Sequence, residues 1–162
     1  MNQTAYEETN QLFYKGGYKY QATQDFRIQI PIKPTTAIRT DWIELDTAGH
    51  LLLKKGYACD GPTDPAKDTK GNMRAAFVHD GVYQLIRLGL LPPEVRPLAD
   101  EIYYEIMLAD SKLVVRRDYH PWIQPIMLKV VEIRSRGHYE VLLGFGSKAA
   151  DSSSERPAFR AP

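Results

Sequence analysis

Cysteine is almost missing from this chain: Cys59 stands alone in 162 residues, so no internal disulfide is available and the fold must rest on burial. Nor is there an excess of charge of one sign. The 21 Lys and Arg against 20 Asp and Glu leave a formal net charge of +1, without the global basic excess that nucleic-acid binding favours. Long apolar runs are absent as well; Leu51 to Leu53 is typical of the longest, far short of the ~20 residues that a spanning helix needs. The first 24 residues have no basic segment followed by an apolar one, so no secretory signal is expected. Histidine is scarce, and His50, His120 and His138 lack the spacing a multi-ligand metal phosphohydrolase would use. No internal repeat is found. What is present, 43% hydrophobic residues, suffices for one core and one α+β domain.

The opening, residues 1 to 24, is polar and tyrosine-rich with no period, and reads as an arm. From Asp25 the text alternates: Phe26, Ile28, Ile30 and Ile32 against polar neighbours predict a half-buried strand that, because Pro31 cannot donate to a ladder, is an edge or ends there. Ile38, Trp42, Ile43 and Leu45 predict a second strand with an irregularity near Asp41. The turn "DTAGH" then returns the chain as a third strand, Leu51 to Cys59. These three form the expected small antiparallel sheet. "DGPTDPAKDTKGN" follows, thirteen residues of turn chemistry in a position where long loops are often functional. Three helices are predicted next: Asn72 as cap to Leu88 with Gly89 as stop, about Glu94 to Lys112, and Pro121 to the "RSRGHY" stretch. The last residues, 147 to 162, are Ser-, Ala- and Pro-rich and read as a disordered tail beyond a 25 to 146 domain.

At about 100° per residue, Ala75, Val78, Val82, Leu85 and Ile86 share one helix face. His79 lies on the flank of that face, Tyr83 is beside it, and Asp80 points well around the cylinder. On the second helix Val95, Ala99, Ile102, Ile106 and Ala109 make the stripe, and Asp100 sits at its rim near Tyr103. A short "GLLPPE" connection favours antiparallel packing, which lets His79 approach Asp100. A carboxylate on one imidazole nitrogen fixes the tautomer and leaves the other nitrogen as a base. The same residues can equally form a structural polar network that specifies a core without chemistry. Cys59, at a strand end rather than a helix N-terminus, reads as a small buried hydrophobe and not as a nucleophile.

"YACDGPTDP", "AAFVHDGVY" and "LADEIYYEIM" together resemble the catalytic core of the phospholipase A2 superfamily, in its disulfide-free viral capsid-associated branch. Ala76, His79, Asp80 and Tyr83 match its A-x-x-H-D-x-x-Y helix, and Ala99, Asp100 and Tyr103 match its second helix. The same strings, with D-G-P-T-D-P after a strand-rich region, are similar to a family of uncharacterised phage and prophage proteins over roughly Phe26 to Ala109. The phospholipase resemblance implies His79 as the base, Asp100 as its orienting partner and Tyr83 as a supporting hydroxyl. It implies Ca²⁺ on Asp80 and on the 57 to 62 loop, where Tyr57, Asp60 and Gly61 lie, with a phospholipid membrane surface as the source of ester. Pro62 and the carboxylates Asp60 and Asp64 depart from that pattern, and Asp60, Asp80 and Asp64 form an alternative metal set; Asp60 and Thr63 can also make a plain Asx-type turn. The phage lineage implies a virion or host-cytoplasm location and phage structural proteins as partners. It leaves open a non-enzymatic virion (tail or capsid-associated) or accessory protein. Between Lys112 and Arg136 six basic residues face lipid phosphate or solvent, and without interleaved aromatics nucleic acid is not expected.

Overall fold

A computed structural model describes residues 14–15, 20–61 and 69–149. Among the described residues seven short strands precede three helices, an α+β arrangement. The strands are β1 (Tyr14–Lys15), β2 (Tyr20–Ala22), β3 (Phe26–Gln29), β4 (Ile38–Arg39), β5 (Ile43–Leu45), β6 (His50–Leu53) and β7 (Ala58–Cys59). The helices are α1 (Met73–Arg87), α2 (Arg96–Asp118, entered through a 3-10 turn at Pro93–Val95) and α3 (Gln124–Ala149). Among the described residues no helix is long and apolar enough to cross a membrane.

The strands make two antiparallel sheets where one was expected, in the orders β1-β2-β7 and β3-β6-β5-β4. Register follows the alternation: Phe26 pairs with Leu53, Ile28 with Leu51, and Leu51 with Leu45, so one face of the larger sheet gathers the apolar side chains. The irregularity near Asp41 is a hairpin turn, because β4 and β5 pair with each other, Ile38 to Leu45 and Arg39 to Glu44. Thr40 makes it: its Oγ1 accepts from Ile43 N–H at 2.9 Å and from Trp42 N–H at 3.3 Å. The expected third strand breaks in the same way. Gly56, at φ +97, turns the chain after β6, and β7 crosses to pair with β2, Tyr20 opposite Cys59. The expected arm therefore contributes β1 and β2, and the rest of residues 1 to 24 up to position 19 lies outside the described residues.

The "DTAGH" turn joins β5 to β6 through Asp46, whose Oδ1 accepts from Ala48 and His50 N–H. Gly49 has φ +93, and a Cβ there would lie 2.3 Å from the Ile30 carbonyl oxygen. Gly49→Ala is expected to cost about 2–4 kcal/mol from backbone strain and the clash. A lower urea midpoint at unchanged slope is the readout.

α1 lies on the larger sheet. Gly81, unfavourable in a helix interior by about 1 kcal/mol, allows the approach: a Cβ would sit 2.9 Å from Leu53 Cδ2 and 3.9 Å from Ile43 Cδ1. Asn72 stands at the N-cap of α1 as expected, but its side chain makes no capping hydrogen bond; its Oδ1 accepts from Thr69 N–H at 2.8 Å and fastens the incoming loop. Gly89, at φ +69, ends α1 as expected. α2 runs six residues beyond the expected Lys112. α3 starts at Gln124, with Pro125 in its first turn, and continues past "RSRGHY" to Ala149, so residues 147–149 are helix. Residues 150–162, the remainder of the expected tail, lie outside the described residues, as do Pro62, Thr63 and Asp64. α3 packs on α2 with Tyr104 and Tyr139 rings 5.2 Å apart, and Lys112 bridges to Glu132 at 2.9 Å.

Candidate active site

α1 and α2 run antiparallel, and polar side chains bridge their seam at two places. Near the α1 start, Arg74 grips Asp110 with two N–H donors, Nη2 to Oδ1 at 2.6 Å and Nε to Oδ2 at 3.1 Å. One turn and a half further along, His79 Nε2 lies 2.9 Å from Asp100 Oδ1. The Tyr83 hydroxyl donates to that same oxygen at 2.6 Å. His79 and Tyr83, one helical turn apart, thus converge on one carboxylate, which is why the H-D-x-x-Y spacing matters.

Burial gives these contacts weight. Asp100 is 0% exposed and His79 5%. The His79 ring is 4.0 Å from that of Tyr83 and meets Tyr103 edge-on at 5.3 Å, so its plane is held on two sides. Burial alone lowers the His79 pKa, but the bond to Asp100 and the nearby Asp80 outweigh it and leave the imidazole above the usual histidine value of 6.5. Tyr83 is pushed up by burial and by Asp100, so its hydroxyl keeps its proton and acts as a donor.

The other imidazole nitrogen, Nδ1, is 3.9 Å from Asp80 Oδ1, and the Asp80 side chain is 29% exposed. Helix geometry separates the two adjacent acids and bases: Asp100 seals one nitrogen inside, and Asp80 stands at the solvent side of the other. With Asp100 ionised, Nε2–H donates and the free lone pair is on Nδ1.

The residues expected to hold a cation are divided between mid-α1, where Asp80 lies, and the 57 to 61 segment around β7. Asp60 is exposed and Gly61 is buried at φ +84, where the chain leaves β7. Tyr57 turns inward: its ring packs edge-on against Phe77 at 6.1 Å. Its carbonyl accepts the Ala22 N–H at 2.8 Å, which leaves that oxygen one lone pair. Burial first, and then the charges of Asp80 and Asp60 among others, hold the Tyr57 phenol well above its ordinary range, so both carboxylates are felt at that ring. Asp80, Asp60 and loop carbonyls are oxygen donors of the kind a hard cation takes. The donor types therefore suit Ca²⁺, although among the described residues no group of three or more His, Cys, Asp or Glu is gathered for a metal. Asp64 lies outside the described residues. Cys59 is a buried thiol, 4% exposed.

Sequence reasoning missed one member of the cluster. Arg96 Nη1 lies 3.9 Å from Asp100 Oδ2, and both atoms are buried with no hydrogen-bond partner. The guanidinium thus offsets the buried carboxylate by charge rather than by a hydrogen bond. Its i,i+4 spacing from Asp100 in "RPLAD" was the available signal. The Arg74–Asp110 fork was missed too, having no local signature across 36 residues.

Comparison with protein families, curated proteins and solved structures returns no match.

Proposed function

We propose that this is a phage-lineage hydrolase of the phospholipase A2 type, acting on phospholipid esters with His79 as general base. One observation carries the reading: the imidazole is wired at both ends, Nε2 to a fully buried carboxylate and Nδ1 toward a partly exposed one. A histidine needed only as a core spacer has no use for an unequal environment at its second nitrogen. Asp100 holds the tautomer, Tyr83 and Arg96 hold Asp100, and the Nδ1 lone pair takes a proton from water as the water attacks the ester carbonyl. The imidazolium formed then faces two carboxylates, which stabilise it, and returns the proton to the leaving alcohol. Asp80, Asp60 and carbonyls of the 57 to 61 segment are the groups that would hold Ca²⁺, which when bound supplies Lewis-acid polarisation of the ester.

The base works only when neutral, so its raised pKa places the acid limb of kcat/KM above pH 6.5. Stability runs the other way. A histidine whose folded pKa exceeds its unfolded value contributes stability fully below pH 6.5 and loses it as pH rises through the folded pKa. Rising activity with a falling contribution to Tm across the same window is the expected pair, measured on phosphatidylglycerol vesicles with Ca²⁺ and repeated in EDTA. Turnover that is indifferent to EDTA removes the cation from the reading, and no turnover at any pH removes the hydrolase.

A second reading is favoured by burial. With His79 only 5% exposed, the cluster also suits a structural network in a non-enzymatic virion or accessory protein.

A further inference from the structure

The outer face of α3 carries apolar side chains that stand exposed among the described residues. Trp122, in the turn entering the helix, is 72% exposed, Ile126 61%, Val130 47% and Ile133 68%. Their spacing of four, four and three residues puts them on one stripe, and Gly137 and Gly144 continue it with open space where a Cβ would point. The buried residues Ser135 and Leu142 lie on the opposite side of the same helix. Large apolar side chains exposed in a row mark an interaction surface.

Charge selects the occupant. Lys129 and Arg136 border the stripe on one side and Arg134 on the other, and Arg116 and Arg117 end α2 at the corner beside Tyr119 and Trp122. Of the acids nearby, Asp118 is held by Arg117 at 2.6 Å, Glu132 by Lys112 at 2.9 Å and Glu140 by Arg136 at 3.6 Å. Pairing this stripe with a second copy of itself would bring Lys129 against Arg134 or Arg136 in either direction of packing. An apolar stripe with basic borders and an aromatic corner instead has the make-up of a helix that lies in a lipid headgroup layer. From this we infer that α3 is a docking face for an anionic phospholipid surface, with Trp122 and Ile126, Val130 and Ile133 entering the headgroup boundary and the basic borders meeting phosphate. The inference is independent of hydrolysis at His79.

The test uses vesicles of ether-linked lipids, which no esterase cuts, so docking and hydrolysis fail separately. The full chain carries Trp42→Phe, which makes Trp122 the only indole. Adding phosphatidylcholine vesicles that contain phosphatidylglycerol is expected to shift Trp122 emission to the blue and to carry the protein into the vesicle pellet, with weakening as salt is raised. Ile126→Asp or Ile133→Asp is expected to lower partitioning about tenfold or more, and each of Lys129→Gln and Arg136→Gln about fivefold, with circular dichroism unchanged because all four side chains are exposed. Three results overturn the inference: no shift on the anionic vesicles, equal binding to pure phosphatidylcholine, or a dimer in light scattering that Ile133→Asp dissolves.

Discussion

His79→Gln should lower turnover on phospholipid by about 10²–10⁴-fold, the range that a positioned general base supplies, while moving stability by no more than about 1 kcal/mol. The choice of glutamine matters. Its amide nitrogen can reach the position of imidazole Nε2 and keep donating to Asp100 Oδ1, which sits 2.9 Å away, but it has no lone pair to take a proton at the Nδ1 position. Hydrogen bonding at the buried end is thereby preserved and basicity at the open end removed. His79→Leu confounds the two, since it strips the fully buried Asp100 of a donor as well. Tyr83→Phe is the companion. It deletes the 2.6 Å donor to the same oxygen, costs about 1.5–3 kcal/mol as a hydrogen bond to a charged group, and leaves His79 chemically intact. A catalytic dyad predicts a large activity loss in the first variant and a modest one in the second. A structural network predicts loss of stability ordered by donors removed, with no turnover to lose in either. Unchanged turnover in His79→Gln would sink the assignment of His79 as base.

Local spacing in the sequence made the dyad legible, because its members lie at the rims of two apolar stripes whose phase can be counted. His79, Tyr83 and Asp100 need only helix periodicity and one short antiparallel connection to meet. The same logic reached Gly89 as a stop and the β5–β6 turn. It failed where pairing is distant. Nothing in "YQA" announces that Tyr20 will lie opposite Cys59, 39 residues on, and Arg74 and Asp110 find each other only after α1 and α2 have docked. The Thr40 hairpin was hidden for a different reason: a tight turn held by one side-chain oxygen leaves the apolar alternation on both sides almost unbroken, so it reads as a single strand with a flaw. α3 was cut short at "RSRGHY", a polar stretch in which the apolar period fades, whereas on an exposed helix face a glycine such as Gly137 costs only about 1 kcal/mol and packing on α2 sustains the helix.

Arg74→Leu is expected to destabilise the chain by about 2 kcal/mol at pH 7.5, the cost of leaving a buried carboxylate without its partner, limited by the proton that the carboxyl can take up instead. Asp110 bears that cost, since it is largely buried and gives up both N–H donors of the fork. Burial already pushes the Asp110 carboxyl up to about 6 against the pull of Arg74, and removing the guanidinium moves it higher. The sign of the pH dependence follows. A carboxyl whose folded pKa lies above its unfolded value of 3.8 folds more favourably when protonated, so its contribution is greatest below 3.8 and is lost as pH rises through the folded value. The penalty of Arg74→Leu should therefore be small near pH 4, where Asp110 is neutral in both chains, and grow by about 1.4 kcal/mol per unit as pH rises above about 6. Asp110→Leu behaves differently, because the Arg74 guanidinium stays charged at every working pH; its penalty should not recede in acid. The double variant, which replaces the pair with apolar volume, should recover most of either loss. Urea midpoints for the four chains at pH 4.5 and 7.5 separate these outcomes. Equal penalties for Arg74→Leu at both values would mean that packing of the arginine stem, rather than the charge it neutralises, fixes this end of the α1–α2 seam and with it the register that brings His79 to Asp100.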